Sequence, residues 1–315
     1  MKKKAIIISL SGLKLTKSEK KIFKHYLPWG VILFSRNIKN YLKLKKLIFS
    51  IKKITKDKRY PILIDEEGGS VSRLHKIIDN KLYSQKYFGN IFKFNHKVGL
   101  DLYKKYSNEI CNILKPLGIN INTIPVLDRS YNFTNKFLKN RTYSANINSI
   151  KLLSNICIET YKKNKISTVI KHIPGHGLAT SDSHKKLPIV KKSIDYLLKN
   201  DFKCFKNNKS LFAMTAHVMF KKIDSKNCAT HSKEIIFNYI RKKLGYKGII
   251  ISDDIGMKSL KFDLVENALR SLSAGCNLAL YCNGKSKESL KLLKKIPPID
   301  EFTKKKTSEF YNFLR

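Results

Sequence analysis

The sequence is poor in the signals that mark several large classes of protein. Its six cysteines, Cys111, Cys157, Cys204, Cys228, Cys276 and Cys282, are widely spaced and form no C-x-x-C pair. Neither a zinc ribbon nor a disulfide framework is indicated, and idle thiols in a reducing compartment are expected. No apolar run approaches the roughly 18 residues that span a bilayer. The start, Met1-Lys2-Lys3-Lys4 before Ala5-Ile6-Ile7-Ile8-Ser9-Leu10, mimics a signal peptide. That run is short, and Lys14 and Lys17 follow it with no small-residue cleavage site. It reads as a first buried strand, and a cytoplasmic protein with no membrane partner is expected. A Gly-rich phosphate loop after this strand is missing, which argues against a doubly wound dinucleotide fold.

Carboxylates are scarce. Lys and Arg total 64 against 23 Asp and Glu, a formal net charge of +41. Such an excess ordinarily points to nucleic acid or an anionic surface. Only eight of the cations are Arg, the usual reader of phosphate and bases. The lysines are spread along the chain among many Asn and Ile, as a strongly AT-biased coding sequence would produce. No specific nucleic-acid partner is expected. An inactive barrel that binds polyanions stands as the competing, non-enzymatic reading.

What is present is a regular alternation. With 315 residues and 42% apolar content the chain can bury a sizeable core. Strands are expected at Ala5–Leu10, Gly30–Phe34, Pro61–Ile64, Ile119–Asn122, Thr168–Ile170, Leu211–Thr215, Gly248–Ile251 and Asn277–Tyr281. Helical stretches fall between them, among them Tyr41–Ile54, His96–Leu114, Ser149–Asn164, Lys233–Leu244 and Asp263–Ala274. Eight strands alternating with helices predict a single-domain (β/α)8 TIM-type barrel over residues 1–315. Four strands deliver polar groups at their C-terminal ends: Asp65, Lys171 with His172, His217, and Asp253. In such a barrel those ends share the face where active sites sit.

The densest stretch is Lys171-His172-Ile173-Pro174-Gly175-His176-Gly177, followed by Asp182-Ser183-His184. It reads as a strand releasing a loop crowded with proton-moving groups. His172, His176, Asp182 and His184 offer nitrogen and oxygen ligands. However, Pro174-Gly175 interrupts any helix that would align the two histidines, so no metal and no cofactor are expected. A Schiff-base lysine at Lys171 would leave Asp182, His184 and Asp253 unexplained.

Several motifs in order resemble the bacterial β-N-acetylhexosaminidases of glycoside hydrolase family 3, the single-domain type active in cell-wall recycling. They are Gly30–Asn37, Ile64-Asp65-Glu66-Glu67-Gly68-Gly69, Pro125-Val126-Leu127-Asp128, Asn140-Arg141-Thr142-Tyr143, the Lys171–Gly177 stretch with Asp182-Ser183-His184, Met214-Thr215-Ala216-His217, and Ile251-Ser252-Asp253-Asp254. There are departures. Ser70 stands for a usual Arg, Ile173 for Phe and Ile255 for Leu, and Gly177-Leu178-Ala179 is looser than the common version.

The resemblance implies a retaining exo-β-N-acetylglucosaminidase that removes terminal GlcNAc from peptidoglycan fragments such as GlcNAc-anhydro-muropeptides. It implies Asp253 as nucleophile and His184 as acid/base, oriented by Asp182. Asp254, its neighbour, fits a capping role better than the nucleophile's. Asp65, Arg73, Arg141, Lys171 and His172 are implied as sugar-binding groups. Glu66 and Glu67 read as structural or supporting groups, and His176 and His217 as loop braces. Larger family members supply a carboxylate acid from a second domain; about sixty residues follow Asp253 here, which predicts no such domain. A related β-glycosidase or a phosphorylase using the same covalent intermediate is the alternative within the enzyme class. A monomer is expected.

Overall fold

A computed structural model of the chain describes residues 2–181 and 186–315. Eight parallel strands close into a barrel: β1 (Lys3–Ser9), β2 (Leu27–Leu33), β3 (Ile62–Ile64), β4 (Ile121–Asn122), β5 (Ser167–Ile173), β7 (Phe212–Thr215), β9 (Ile249–Asp254) and β10 (Leu278–Tyr281). Two short strands, β6 (Ile189–Val190) and β8 (Met219–Phe220), pair outside it. The seam is closed by β10 on β1, with Ile6 opposite Ala279 and Ile8 opposite Tyr281. Every expected strand is one of the eight, in the expected order.

The strand positions follow from burial. A parallel sheet wrapped by helices is covered on both faces, so its strands read as continuous apolar runs. Ile6-Ile7-Ile8, Val31-Ile32-Leu33 and Ile249-Ile250-Ile251 are such runs, and all are buried. Each such side chain contributes about 1.5–3 kcal/mol on leaving water.

The helices are α1 (Lys17–His25), α2 (Tyr41–Thr55), α3 (Gln85–Phe94), α4 (His96–Leu117), α5 (Lys136–Lys139), α6 (Ile147–Lys163), α7 (Ile194–Lys199), α8 (Leu264–Ala274), α9 (Ser286–Lys295) and α10 (Glu301–Phe313). Side chains start them. Thr16 and Glu19 form a reciprocal capping box on α1, and Asn40 and Asp263 cap α2 and α8. On α2, Leu44, Leu47, Ile48 and Ile51 form the buried stripe, at helical spacing. The helix expected over Lys233–Leu244 is instead a π-helix over Ile235–Lys243.

Two strands run further than the apolar pattern indicates. β5 continues through Lys171 and His172 to Ile173, and β9 through Asp253 to Asp254. Polar side chains do not end a strand whose backbone still finds partners. Lys171 is aligned with Met214 and Ile173 with Thr215 on β7, across a register shift. Lys171, His172 and Asp253 are therefore held by the barrel wall itself, and the loop begins only after Ile173.

Candidate active site

At the C-terminal ends of the strands, a cavity of about 160 Å³ is lined by Asp65, Arg73, Arg141, Lys171, His172 and Asp253. These are all the sugar-binding residues and the nucleophile expected from the sequence, and four chain segments supply them: the stretch after β3 (Asp65, Arg73), the one that holds Arg141, β5 (Lys171, His172) and β9 (Asp253). Asp182 and His184 lie outside the described residues. Ser181, which precedes Asp182, lines the same cavity.

One wall is an interlocked array of charges. Lys171, 2% exposed, donates from Nζ to Asp65 Oδ1 at 2.7 Å and lies 2.5 Å from Glu67 Oε1. Arg73 Nη2 donates to Asp65 Oδ2 at 2.5 Å, and Thr123 Oγ1 to Asp65 Oδ1 at 2.5 Å. Arg141 grips Glu67 with both arms of its fork, Nε to Oε2 and Nη2 to Oε1, each at 2.8 Å. Burial alone would push the carboxyls of Asp65 and Glu67 up. The neighbouring cations outweigh it: Lys171 and Arg73 hold Asp65 well below its usual range, and Arg141 and Lys171 hold Glu67 low. The same carboxylates raise Arg141 against the burial that would lower it.

His172 joins this wall from behind. Its Nδ1 lies 2.7 Å from Asp128 Oδ2, and its Nε2 lies 3.4 Å from Arg141 Nη2. The ring is thus held between the Asp128 carboxylate and the Arg141 guanidinium, at the edge of the cavity. Asp128 also accepts from the backbone N–H of His176 at 2.7 Å, tying the loop after β5 to the wall. Gly177 in that loop is packed so closely that an added Cβ would meet the Arg129 carbonyl oxygen at 1.9 Å.

Asp253 stands apart from that array. Its Oδ1 accepts one backbone bond, from the N–H of Asp254 at 2.8 Å, and its own N–H donates to Thr215 Oγ1 at 3.3 Å. Burial pushes its carboxyl up. The imidazoles of His217 and His172, the Asp254 N–H and Lys171 together bring it below the ordinary value, so it is ionised at neutral pH. Asp254 also reaches the cavity lining, so strand alternation alone does not separate the two carboxylates. Its Oδ1 accepts from the N–H groups of Gly256 and Cys282, at 3.1 and 3.0 Å. The helix cap that the sequence suggests for it falls to Asp263 instead, and Asp254 ties the turn after β9 to the end of β10.

The remaining histidines act as expected of braces. His217 bridges Thr230 Oγ1 at 2.7 Å and the Asp254 carbonyl at 3.0 Å. His176 is buried, and burial followed by the His172 charge lowers its pKa to about 4. Glu66 folds the loop that carries Arg73, accepting from the N–H groups of Gly68, Arg73 and Leu74. Glu67 supports Arg141 and Lys171, as its reading as a structural or supporting group implies, and two residues without an expected role, Thr123 and Asp128, are built into the wall. Glu67 and Asp128 lie in motifs that drew attention, but their partners come from other strand ends. Among the described residues no group of three His, Cys, Asp or Glu side chains is placed to hold a metal ion.

Comparison with known proteins agrees with this geometry. Residues 2–306 match the glycosyl hydrolase family 3 N-terminal domain. The chain is 30% identical over 285 residues to a β-hexosaminidase of Methylobacillus flagellatus, covering 88% of this chain and 80% of that one. It is 30% identical over 285 residues to a β-hexosaminidase of Haemophilus influenzae, covering 89% and 79%. The NagZ crystal structure from Neisseria gonorrhoeae in complex with N-trifluoroacetyl-D-glucosamine superposes with a TM-score of 0.88 at 25% identity, over all of this chain and 91% of that one. The chain is a glycoside hydrolase and belongs to family 3, among its β-N-acetylhexosaminidases.

Proposed function

We propose that the protein is a retaining exo-β-N-acetylglucosaminidase that releases terminal GlcNAc from peptidoglycan-derived fragments, GlcNAc-anhydro-muropeptides among them. The observation that carries this reading is the isolated, ionised Asp253 carboxylate in a small cavity walled by hydrogen-bonding cations and carboxylates. A cavity of about 160 Å³ suits one sugar residue, hence an exo action. The likeness to β-hexosaminidases and to a NagZ bound to a glucosamine derivative supports the N-acetylhexosamine.

In the first step an Asp253 carboxylate oxygen attacks the anomeric carbon. The glycosidic C–O bond breaks as the protonated His184 imidazole gives its proton to the departing oxygen. In the second, water attacks the same carbon, its proton passes to the now neutral His184, and the bond to Asp253 breaks. Two inversions leave the configuration retained. Asp182 holds the ring, as the Asp of a Ser-His-Asp triad does. Asp65, Arg73, Lys171, Arg141 and His172 take the sugar's hydroxyl and acetamido groups. The six cysteines carry no disulfide, which supports a cytoplasmic location.

The test uses aryl β-GlcNAc substrates with good and poor leaving groups. His184→Ala should lose roughly 10²–10⁴-fold on a poor leaving group. On dinitrophenol, which needs no proton, it should lose much less in the first step and accumulate the glycosyl-enzyme, and azide should partly restore turnover as a β-glycosyl azide. Equal losses on both substrates without azide rescue would refute His184 as acid/base. Product formation that requires phosphate and yields a sugar phosphate would make the enzyme a phosphorylase.

A further inference from the structure

The charge of the molecule is not evenly spread over its surface. Helices α1, α2 and α9 are neighbours on the outside of the barrel. Each exposes four lysines. Between residues 39 and 56, a stretch that contains α2, there are seven lysines and no carboxylate, against a net +41 over all 315 residues. That is about three times the mean density of positive charge. The one carboxylate of α1, Glu19, is buried in its capping box, and Glu288 of α9 is engaged by Tyr281 and Lys285. On α4, α6 and α10, by contrast, exposed carboxylates are interleaved with the lysines: Asp101 and Glu109 on α4, Glu159 on α6, Glu301 and Glu309 on α10. A coding bias toward lysine accounts for the mean charge. It does not set the local excess over residues 39–56, about three times that mean.

The flank also carries apolar groups turned to water. Leu42 and Phe49 on α2 are 67% and 65% exposed. They share one stripe with Lys45, Lys46 and Lys53, at the i, i+3, i+4, i+7 and i+11 positions of a helix. None of these three lysines forms an ion pair among the described residues.

We propose that the α9–α1–α2 flank, with Leu42 and Phe49 exposed on α2, is a docking surface for an anionic lipid bilayer. Lysine clusters of this size gain attraction near an anionic leaflet that adds with each lysine. Large apolar side chains among them enter the boundary between headgroups and acyl chains, while lysine stems lie along the apolar surface and keep their charges in the headgroups. Duplex DNA would use the charges but offers Leu42 and Phe49 no apolar phase to enter, and the stripe holds no arginine fork. The contact is peripheral: no helix among the described residues is long and apolar enough to cross a membrane. The sequence expectation of no membrane partner rests on that lack of a spanning segment, which does not bear on surface docking. The flank runs along the side of the barrel, so a docked molecule keeps its cavity open.

Co-sedimentation with vesicles tests this. The full chain should sediment with phosphatidylcholine vesicles containing phosphatidylglycerol and remain in solution with pure phosphatidylcholine, and high salt should release it. Leu42→Ser with Phe49→Ser should weaken partitioning to the anionic vesicles by about tenfold or more while leaving retention on duplex DNA unchanged. Lys45→Glu with Lys46→Glu should abolish vesicle binding. Thermal unfolding and aryl-substrate turnover unchanged in each variant exclude misfolding. The proposal is overturned if the wild type ignores anionic vesicles, if the Leu42/Phe49 variant binds them as the wild type does, or if duplex DNA at the same salt is bound more tightly than the vesicles.

Discussion

The two sides of the cavity are built on different principles. On the recognition side, every carboxylate has cations against it: Asp65 between Lys171 and Arg73, and Glu67 between Lys171 and Arg141. On the other, Asp253 has, among the described residues, one backbone N–H on its carboxylate and otherwise feels charges through space. Both arrangements keep the carboxylates ionised. The first fixes each oxygen in place, which suits the proposed binding of sugar hydroxyls in a set geometry. The second leaves carboxylate lone pairs unclamped, as the proposed nucleophile requires. A nucleophile clamped by two cations would be a poor one, and a recognition group without them would be soft.

Removing the reactive side should do most damage. Asp253→Asn should lower kcat on any aryl β-GlcNAc by about 10⁴-fold or more, and mass spectrometry of the quenched enzyme should find no glycosylated peptide. Stability should hardly change, because Asp253 forms no ion pair among the described residues. A variant retaining substantial turnover would erase the distinction between the two sides.

Removing the centre of the recognition wall should do the reverse. Lys171→Met leaves Asp65 and Glu67 buried without their shared cation, which should lower the unfolding free energy by about 3–5 kcal/mol, read by chemical denaturation. A milder cut is Glu67→Gln, which keeps the shape but loosens Arg141 and Lys171 together. It should lower kcat/KM roughly 10–100-fold, mainly through KM. A loss confined to kcat would place Glu67 on the chemical side.

The smallest effect separates ion pairing from burial. Asp201 packs behind the Gly175–Gly177 loop and accepts from Tyr131 Oη at 2.6 Å. Burial pushes its pKa up to about 6. A carboxyl raised in the folded state contributes stability that is present below its unfolded value, near 4, and is lost as pH rises through the folded value. Asp201→Asn should remove a decline on the order of 2 kcal/mol between about pH 4 and pH 6, leaving the rest of the stability curve in place. The wall carboxylates have lowered values and run the other way, with stability lost as pH falls below the ordinary carboxylate range. A curve unaltered in that window would mean that Asp201 is not the buried acid its surroundings make it.

The barrel was legible because its strands are short apolar runs at regular intervals, and Asp65, Lys171, His172 and Asp253 because each follows such a run. Arg73 and Arg141 are distant from any strand end, and only the family resemblance carried them. Glu67 was read as structural because its role depends on where two other chain segments arrive. Asp128 was passed over for the same reason: it acts on the cavity through His172. The extension of β5 and β9 into polar sequence was hidden as well, since hydrophobic periodicity cannot register a backbone partner.

The pairing of β10 with β1 sets the order of events during synthesis. Ile6 leaves the ribosome early and must wait for Ala279 before its strand has both neighbours. Until then β1 and β9 each present an open edge, and the cavity, whose charged wall and Asp253 come from β3 to β9, has no closed frame around it. So distant a contact makes barrel closure slow. The active enzyme therefore forms only after nearly all of the chain has been made, and the interval before closure is when an unpaired edge is most open to association with another chain.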